Sequence, residues 1–210
     1  MATVISFALG PLQTNCFLVR AQDRALAVDP GGDPSSVVGY LKQEGLTLTH
    51  IVNTHLHFDH ILGNSSLSEA TGAPILANPE DGFLLDTEVG GGGFMGFPPT
   101  PPFEYQPLEP GETSFLGEPC TVLKTPGHTP GSLSLYFPDS AMVFSGDLIF
   151  HHSIGRTDFP GGDQQTLIDS VRGKIFTLPE ETVIYSGHGP ETTVREEKLH
   201  NPFFNRGFTL

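Results

Sequence analysis

Within six residues, His55-Leu56-His57-Phe58-Asp59-His60, the chain places three imidazoles and a carboxylate, shortly after the apolar pair Ile51-Val52. A segment built only for packing would need a buried partner for each of those groups, at about 1–3 kcal/mol for every one left without. A divalent metal centre uses them directly, since imidazole and carboxylate suit zinc, iron or manganese. Three later fragments, each after a short apolar run, supply further groups of the same kind: Pro126-Gly127-His128, Ser145-Gly146-Asp147 and Ser186-Gly187-His188. Side chains alternate along an extended segment, so His55 and His57 face one way and can chelate one ion. His128 would complete that set. Asp59 and His60 come after the chain turns and can face a second ion, with His188 as their third partner. Asp147 has two carboxylate oxygens and can bridge both. Seven N/O ligands are too many for one tetrahedral zinc. The expected cofactor is therefore two divalent metal ions per chain, zinc first, with iron or manganese as alternatives. Each would keep an open position for a shared water or hydroxide.

Every one of these groups follows a segment that reads as a strand, which sets what the fold must do: bring several strand ends to one edge. Val4–Leu9, Cys16–Arg20, Ala25–Val28, Ile51–Asn53 and Ile75–Ala77 are short apolar runs bounded by turn residues. Ser35–Glu44 has helical spacing at Val37, Val38 and Leu41, with Asp33 or Ser35 as N-cap and Gly45 at its end. Leu62–Thr71 and Pro79–Leu85 read as further helices. Residues 86–107 carry four consecutive glycines, Phe94, Phe97 and a Pro-rich run, and read as a long loop that is either a rim of the site or a linker. Strands follow at Thr121–Lys124, Leu133–Phe137, Met142–Phe144 and Thr182–Tyr185. A loop spans Asp147–Asp163, and helices span Gln164–Phe176 and Glu191–His200. Strand runs followed by a helix occur in both halves. An α/β fold with two facing sheets and helices outside accounts for the pattern, as one domain over residues 1–210. Gly127, Gly146 and Gly187 each precede a ligand and would let the backbone turn its side chain into a shared cleft. His50, His151, His152 and His200 read as ordinary histidines, although His151 and His152 are near enough to Asp147 to line the site.

Composition narrows the partners. The 210 residues carry a formal net charge of −14 with only ten Lys and Arg, scattered along the chain. No basic footprint exists for nucleic acid or for an anionic membrane surface. No run of apolar residues is long enough for a spanning helix. Met1–Cys16 lacks the basic start and unbroken apolar core of a signal peptide. Cys16 and Cys120 sit in separate strand-like runs and read as reduced, buried thiols. A cytoplasmic location and a small-molecule substrate are expected; oligomeric state is open.

The segments Thr54–His60, Thr125-Pro126-Gly127-His128-Thr129-Pro130-Gly131, Ser145-Gly146-Asp147 and Gly187-His188-Gly189-Pro190 resemble the metallo-β-lactamase superfamily, over nearly the whole chain. The resemblance implies an αββα sandwich with mixed sheets and the metals at one edge. Ser153–Pro160, Gly187–Thr193 and Asn201-Pro202-Phe203 are similar to the small bacterial glyoxalase II-like hydrolases. That branch implies hydrolysis of a thioester such as S-lactoylglutathione by a metal-bound hydroxide, with Asp59 orienting it or taking its proton. The chain departs from full-length glyoxalase II in three places. No C-terminal helical glutathione-binding domain is expected, Gly189-Pro190 stand where a tyrosine tends to follow the last histidine, and Thr157-Asp158-Phe159 replace a Lys/Tyr segment. Gly155–Phe159 also resembles the persulfide dioxygenases. Those are mono-iron enzymes with two histidines and one carboxylate, here His55, His128 and Asp147. A metal-binding module without turnover is a third and weaker reading. Arg156 and Asp158 are expected to pair with each other or to cap the following helix.

Overall fold

Alternate residues of the second strand belong to different cores, which forces its sheet between two layers. Phe17 and Val19 pack inward among the apolar side chains of the facing sheet, whereas Cys16 and Leu18 pack outward under helices. The structure, a computed structural model, describes residues 2–205; Met1 and residues 206–210 of the expected 1–210 unit lie outside the described residues.

One mixed sheet has the order β1 (Thr3–Leu9), β2 (Thr14–Ala21), β3 (Arg24–Val28), β4 (Thr47–Val52), β5 (Ile75–Ala77), β6 (Gln106–Pro107). The second comprises β7 (Gly111–Phe115), β8 (Glu118–Lys124), β9 (Leu133–Phe137), β10 (Met142–Gly146), β13 (Val183–Ser186) and β14 (Thr192–Thr193), ordered β14-β13-β10-β9-β8-β7. A two-stranded ribbon, β11 (Ile149–Phe150) and β12 (Ser153–Ile154), follows β10. The sheets face each other through Phe17, Leu26, Val52, Leu135, Phe137 and Phe144. Helices α1 (Ser35–Glu44), α2 (Phe58–Ile61), α3 (Asn64–Thr71), α4 (Glu88–Gly91), α5 (Gln164–Ser170) and α6 (Val194–His200) complete the chain. Val37, Leu41 and Leu67 of α1 and α3 cover the outer face of the first sheet. Leu167 of α5 and Val194 of α6 cover that of the second. The expected αββα sandwich of mixed sheets is the observed architecture. Among the described residues no helix is long and apolar enough to cross a membrane.

Several elements differ from the sequence expectations. The helix expected from Leu62 begins at Asn64, because Gly63 lies flat against the chain at Pro30 and Gly32, its N–H donating to Pro30 O at 2.8 Å. A separate turn, α2, precedes it. The short helix expected at Pro79–Leu85 is a 3₁₀ helix over Pro79–Asp86, started by Pro79 and by Asn78 Oδ1 accepting from Glu80 N. Residues 86–107 are not wholly loop: they hold α4 and end in β6. Residues 147–163 hold the β11–β12 ribbon. The Gln164 helix changes to a π turn over Val171–Ile175, with Gly173 inside it. The last helix starts at Val194, since Thr192 and Thr193 pair with β13 and Thr193 Oγ1 accepts from Glu196 N. Neither Asp33 nor Ser35 holds the α1 cap position, which falls on Pro34; Asp33 Oδ1 instead accepts from the Ser35 amide and hydroxyl. Strand β4 starts earlier than expected, at Thr47, and β7 lies in a stretch that sequence reasoning left unassigned.

Candidate metal centre

The segment after β4, the turns after β8, β10 and β13, and Asp29 just past β3 meet at one edge of the sandwich. Backbone bonds tie the two sheets there. Thr54 O accepts from Leu133 N at 2.8 Å, and Gly187 O accepts from Asn15 N at 2.8 Å. All seven expected residues come together at this edge. The side-chain ligand atoms of His55, His57 and His128 lie within 4.8 Å of one another, as do those of Asp59, His60 and His188. Asp147 stands between the sets. Its Oδ1 is 3.3 Å from His60 Nε2, and its Oδ2 is 3.7 Å from His128 Nε2 and 3.6 Å from His188 Nε2. His57 Nδ1 and His128 Nε2 approach to 2.8 Å.

The donor set fits divalent metal. Buried polar atoms ordinarily find partners, yet His55 Nε2, His57 Nε2, His60 Nε2 and Asp147 Oδ1 are buried without a hydrogen bond. The opposite ring nitrogens are the ones engaged. His60 Nδ1 is 2.9 Å from Asp29 Oδ2 and His128 Nδ1 donates to Arg156 O at 2.7 Å. His55 Nδ1 lies 3.1 Å from Thr54 Oγ1. Metal-bound histidines are typically oriented in this way by their second nitrogen. Ion preference follows from the same atoms: imidazole and carboxylate without thiolate accept zinc, iron or manganese.

Electrostatics favour neutral rings at His55 and His57 and ionised carboxylates at Asp59 and Asp147. Burial, with His128 adding to it, pushes His57 down to about 3. Burial and the neighbouring histidines hold His55 well below its usual value. Burial opposes ionisation of Asp147, but His60, His128 and His188 overcome it and hold the carboxyl far below the usual range. Asp59 is held low in the same sense by His60 and His188. His60 moves upward, because Asp147, Asp59 and Asp29 outweigh its burial.

Three supporting groups escaped the sequence reading. Asp29 accepts from the Thr54 amide at 2.8 Å and hydroxyl at 2.7 Å, besides facing His60. Thr14 Oγ1 donates to Asp59 Oδ2 at 2.9 Å. Asp81, fully buried, accepts from Thr129 Oγ1 and from Gly131 N, both at 2.7 Å, and so fixes the loop that carries His128. The Asp29-Pro30-Gly31-Gly32 turn was the one available signal for Asp29; Thr14 and Asp81 had none.

The glycines act in two ways. Gly146 has φ +51° and takes the left-handed turn that was expected. Gly187 lacks a positive φ, contrary to that expectation. A Cβ there would stand 2.2 Å from Asp147 Oδ1 and 2.6 Å from His60 Cε1, so close approach is what requires glycine.

A cleft of about 640 Å³ opens over the centre, with His57, Asp59, His128, Asp147 and His188 in its lining. Phe94, Met95 and Phe97 form one wall, so this part of residues 86–107 is a rim of the site. Phe58 anchors that wall at 5.5 Å from Phe94 and 5.1 Å from Phe97, between ring centroids. Phe150 and Phe159 face it, beside His188 and His57. Arg156 and Asp158 pair through two bonds of 2.8 Å, as expected. His151 and His152 do not line the cleft; His152 Nε2 faces Glu196 Oε1 at 2.8 Å. His50 packs edge-on to Phe115.

A model of the metallo-beta-lactamase superfamily matches residues 9–188. The probable metallo-hydrolase YqgX of Bacillus subtilis (strain 168) is 42% identical over 205 residues, 96% of this chain and 97% of its own. The hydroxyacylglutathione hydrolase GloC of Haemophilus influenzae (strain ATCC 51907 / DSM 11121 / KW20 / Rd) is 35% identical over 198 residues, 92% of this chain and 93% of its own. Among solved structures, BLEG-1 B3 metallo-beta-lactamase superposes with a TM-score of 0.89 at 37% identity, covering 96% of this chain and 99% of that one. TTHA1623 in a di-iron-bound form superposes with a TM-score of 0.86 at 38% identity, covering 95% and 99%.

Proposed function

The chain belongs to the metallo-β-lactamase superfamily, and from that premise we propose that it is a binuclear-metal hydrolase that cleaves small thioesters of the S-lactoylglutathione type. The observation that carries this reading is the pair of ligand sets, with buried nitrogens on His55, His57 and His60 that have no hydrogen-bond partner, joined by Asp147 beneath an open cleft. The hydroxyacylglutathione hydrolase of Haemophilus influenzae, 35% identical over almost its whole length, supports the thioester as substrate.

His55, His57 and His128 would hold one ion, Asp59, His60 and His188 the other, and Asp147 both. Divalent metal at this place supplies Lewis acidity, lowering the pKa of a coordinated water to about 7 and polarising a carbonyl. The chain's own residues do the rest. Asp59, fixed by Thr14 at 2.9 Å, presents its carboxylate to the cleft and accepts the proton of the attacking water. Asp29 and Arg156 O fix the planes of His60 and His128, so the ligand geometry costs no reorganisation during the reaction. Water adds to the acyl carbon, the C–S bond breaks, and a carboxylic acid and a thiol leave. A thiolate is a good leaving group, so no separate acid is needed.

The test is metal content per chain together with assays of thioester cleavage, β-lactam cleavage and oxygen uptake. Two ions per chain and thioester turnover without oxygen consumption are expected. One iron per chain with oxygen uptake on glutathione persulfide, or β-lactam cleavage without thioester cleavage, overturns the reading.

A further inference from the structure

The reacting centre is polar, but the cleft above it is not. Phe94, Phe97, Phe150 and Phe159 are only half-buried, and each turns part of its ring toward the opening. Met95 is 88% exposed at the rim. Side chains of this kind leave apolar area in water, worth about 25 cal/mol for every Å² later covered. Arg156 is the only lysine or arginine among the described residues that line the cleft. Its guanidinium is already taken. Both carboxylate oxygens of Asp158 accept from it at 2.8 Å, and its carbon lies 3.8 Å over the Phe159 ring. A glutathionyl arm brings two carboxylates, which would find no unpaired lysine or arginine among the described lining residues and a chain of net charge −14.

Resting on the thioester reading, we propose that the preferred substrate carries an uncharged, apolar arm, alkyl or aryl, held between the Phe94/Phe97 wall and Phe159. The centre then sees only the thioester, and the aromatic walls set specificity.

The full-length, metal-loaded enzyme is assayed on acetyl, butanoyl and hexanoyl thioesters of N-acetylcysteamine and on S-lactoylglutathione. The expected rise in kcat/KM is about threefold to fourfold per methylene buried, with the hexanoyl ester at least tenfold above S-lactoylglutathione. The non-hydrolysable hexyl thioether of N-acetylcysteamine, titrated calorimetrically, should bind at least tenfold more tightly than S-methylglutathione. Phe94→Ala and Phe97→Ala should each flatten the acyl series and weaken the thioether, with an unchanged melting transition showing that the variants fold. A flat series, or S-lactoylglutathione as the better substrate, overturns the proposal. Failure to cleave any thioester overturns the reaction assigned above; the thioether titration then still decides the cleft.

Discussion

Asp147 is the carboxylate that stands between the two ligand sets, at 3.3 Å from His60 and 3.7 Å from His128. Asp147→Ala is therefore expected to lower metal content at both positions and to abolish turnover, whereas His188→Ala should mainly weaken one. Elemental analysis of the two variants checks this, and full loading of Asp147→Ala would remove the bridging role. Asp29 acts one step back. Asp29→Ala frees the His60 ring, leaves the Thr54 amide unpaired and leaves its hydroxyl only His55 Nδ1. A loss of about 10–100-fold in metal affinity should follow, read by competition with a chromogenic chelator. The difference between these two aspartates also explains what was legible. The histidines and Asp147 announce themselves by residue type, by the clustering of His55, His57 and His60, and by the glycine before His128, Asp147 and His188. Asp29, Asp81 and Thr14 matter through partners dozens of residues away, and beyond the turn at Asp29 local pattern carries no trace of such contacts.

The elements were legible where one face or both faces of a strand are apolar, as in β3 and β10. They were missed where pairing, not composition, makes the strand: β7 is polar and mostly exposed, and it is extended only because β8 lies beside it. Glycine separates the two kinds of constraint experimentally. Gly39 is exposed inside α1, and an added Cβ would meet nothing within 4 Å. Gly39→Ala should stabilise the protein by about 0.5–1 kcal/mol, measured by urea unfolding. Gly187→Ala places a methyl 2.2 Å from Asp147 Oδ1. It should abolish turnover while the far-UV circular dichroism of the sandwich persists. Equal effects of both substitutions would refute the close-approach account.

Across the whole molecule the two cysteines report on the two cores. Cys16 lies under the outer helices and Cys120 between the sheets. Burial pushes the Cys120 thiol up to about 12 and raises Cys16 as well. At pH 8 neither should react with a thiol reagent in the native protein, and both should react on unfolding; prompt labelling of the native protein would contradict the packing. Metal ties the same molecule together across its seam, since each sheet donates ligands. Chelation should lower the melting temperature, by the equivalent of about 4 kcal/mol when free metal had been a thousandfold above its Kd. The chain order of those ligands adds a consequence for biosynthesis. A nascent polypeptide completes the three-histidine set once residue 128 has emerged, but closes the other only when β13 has paired with β10 and delivered His188. The hypothesis is that the ions are acquired in sequence as the ribosome advances. Stalled chains ending between residues 147 and 183 should then capture less metal than chains extended beyond 188, and equal capture by the two would refute it.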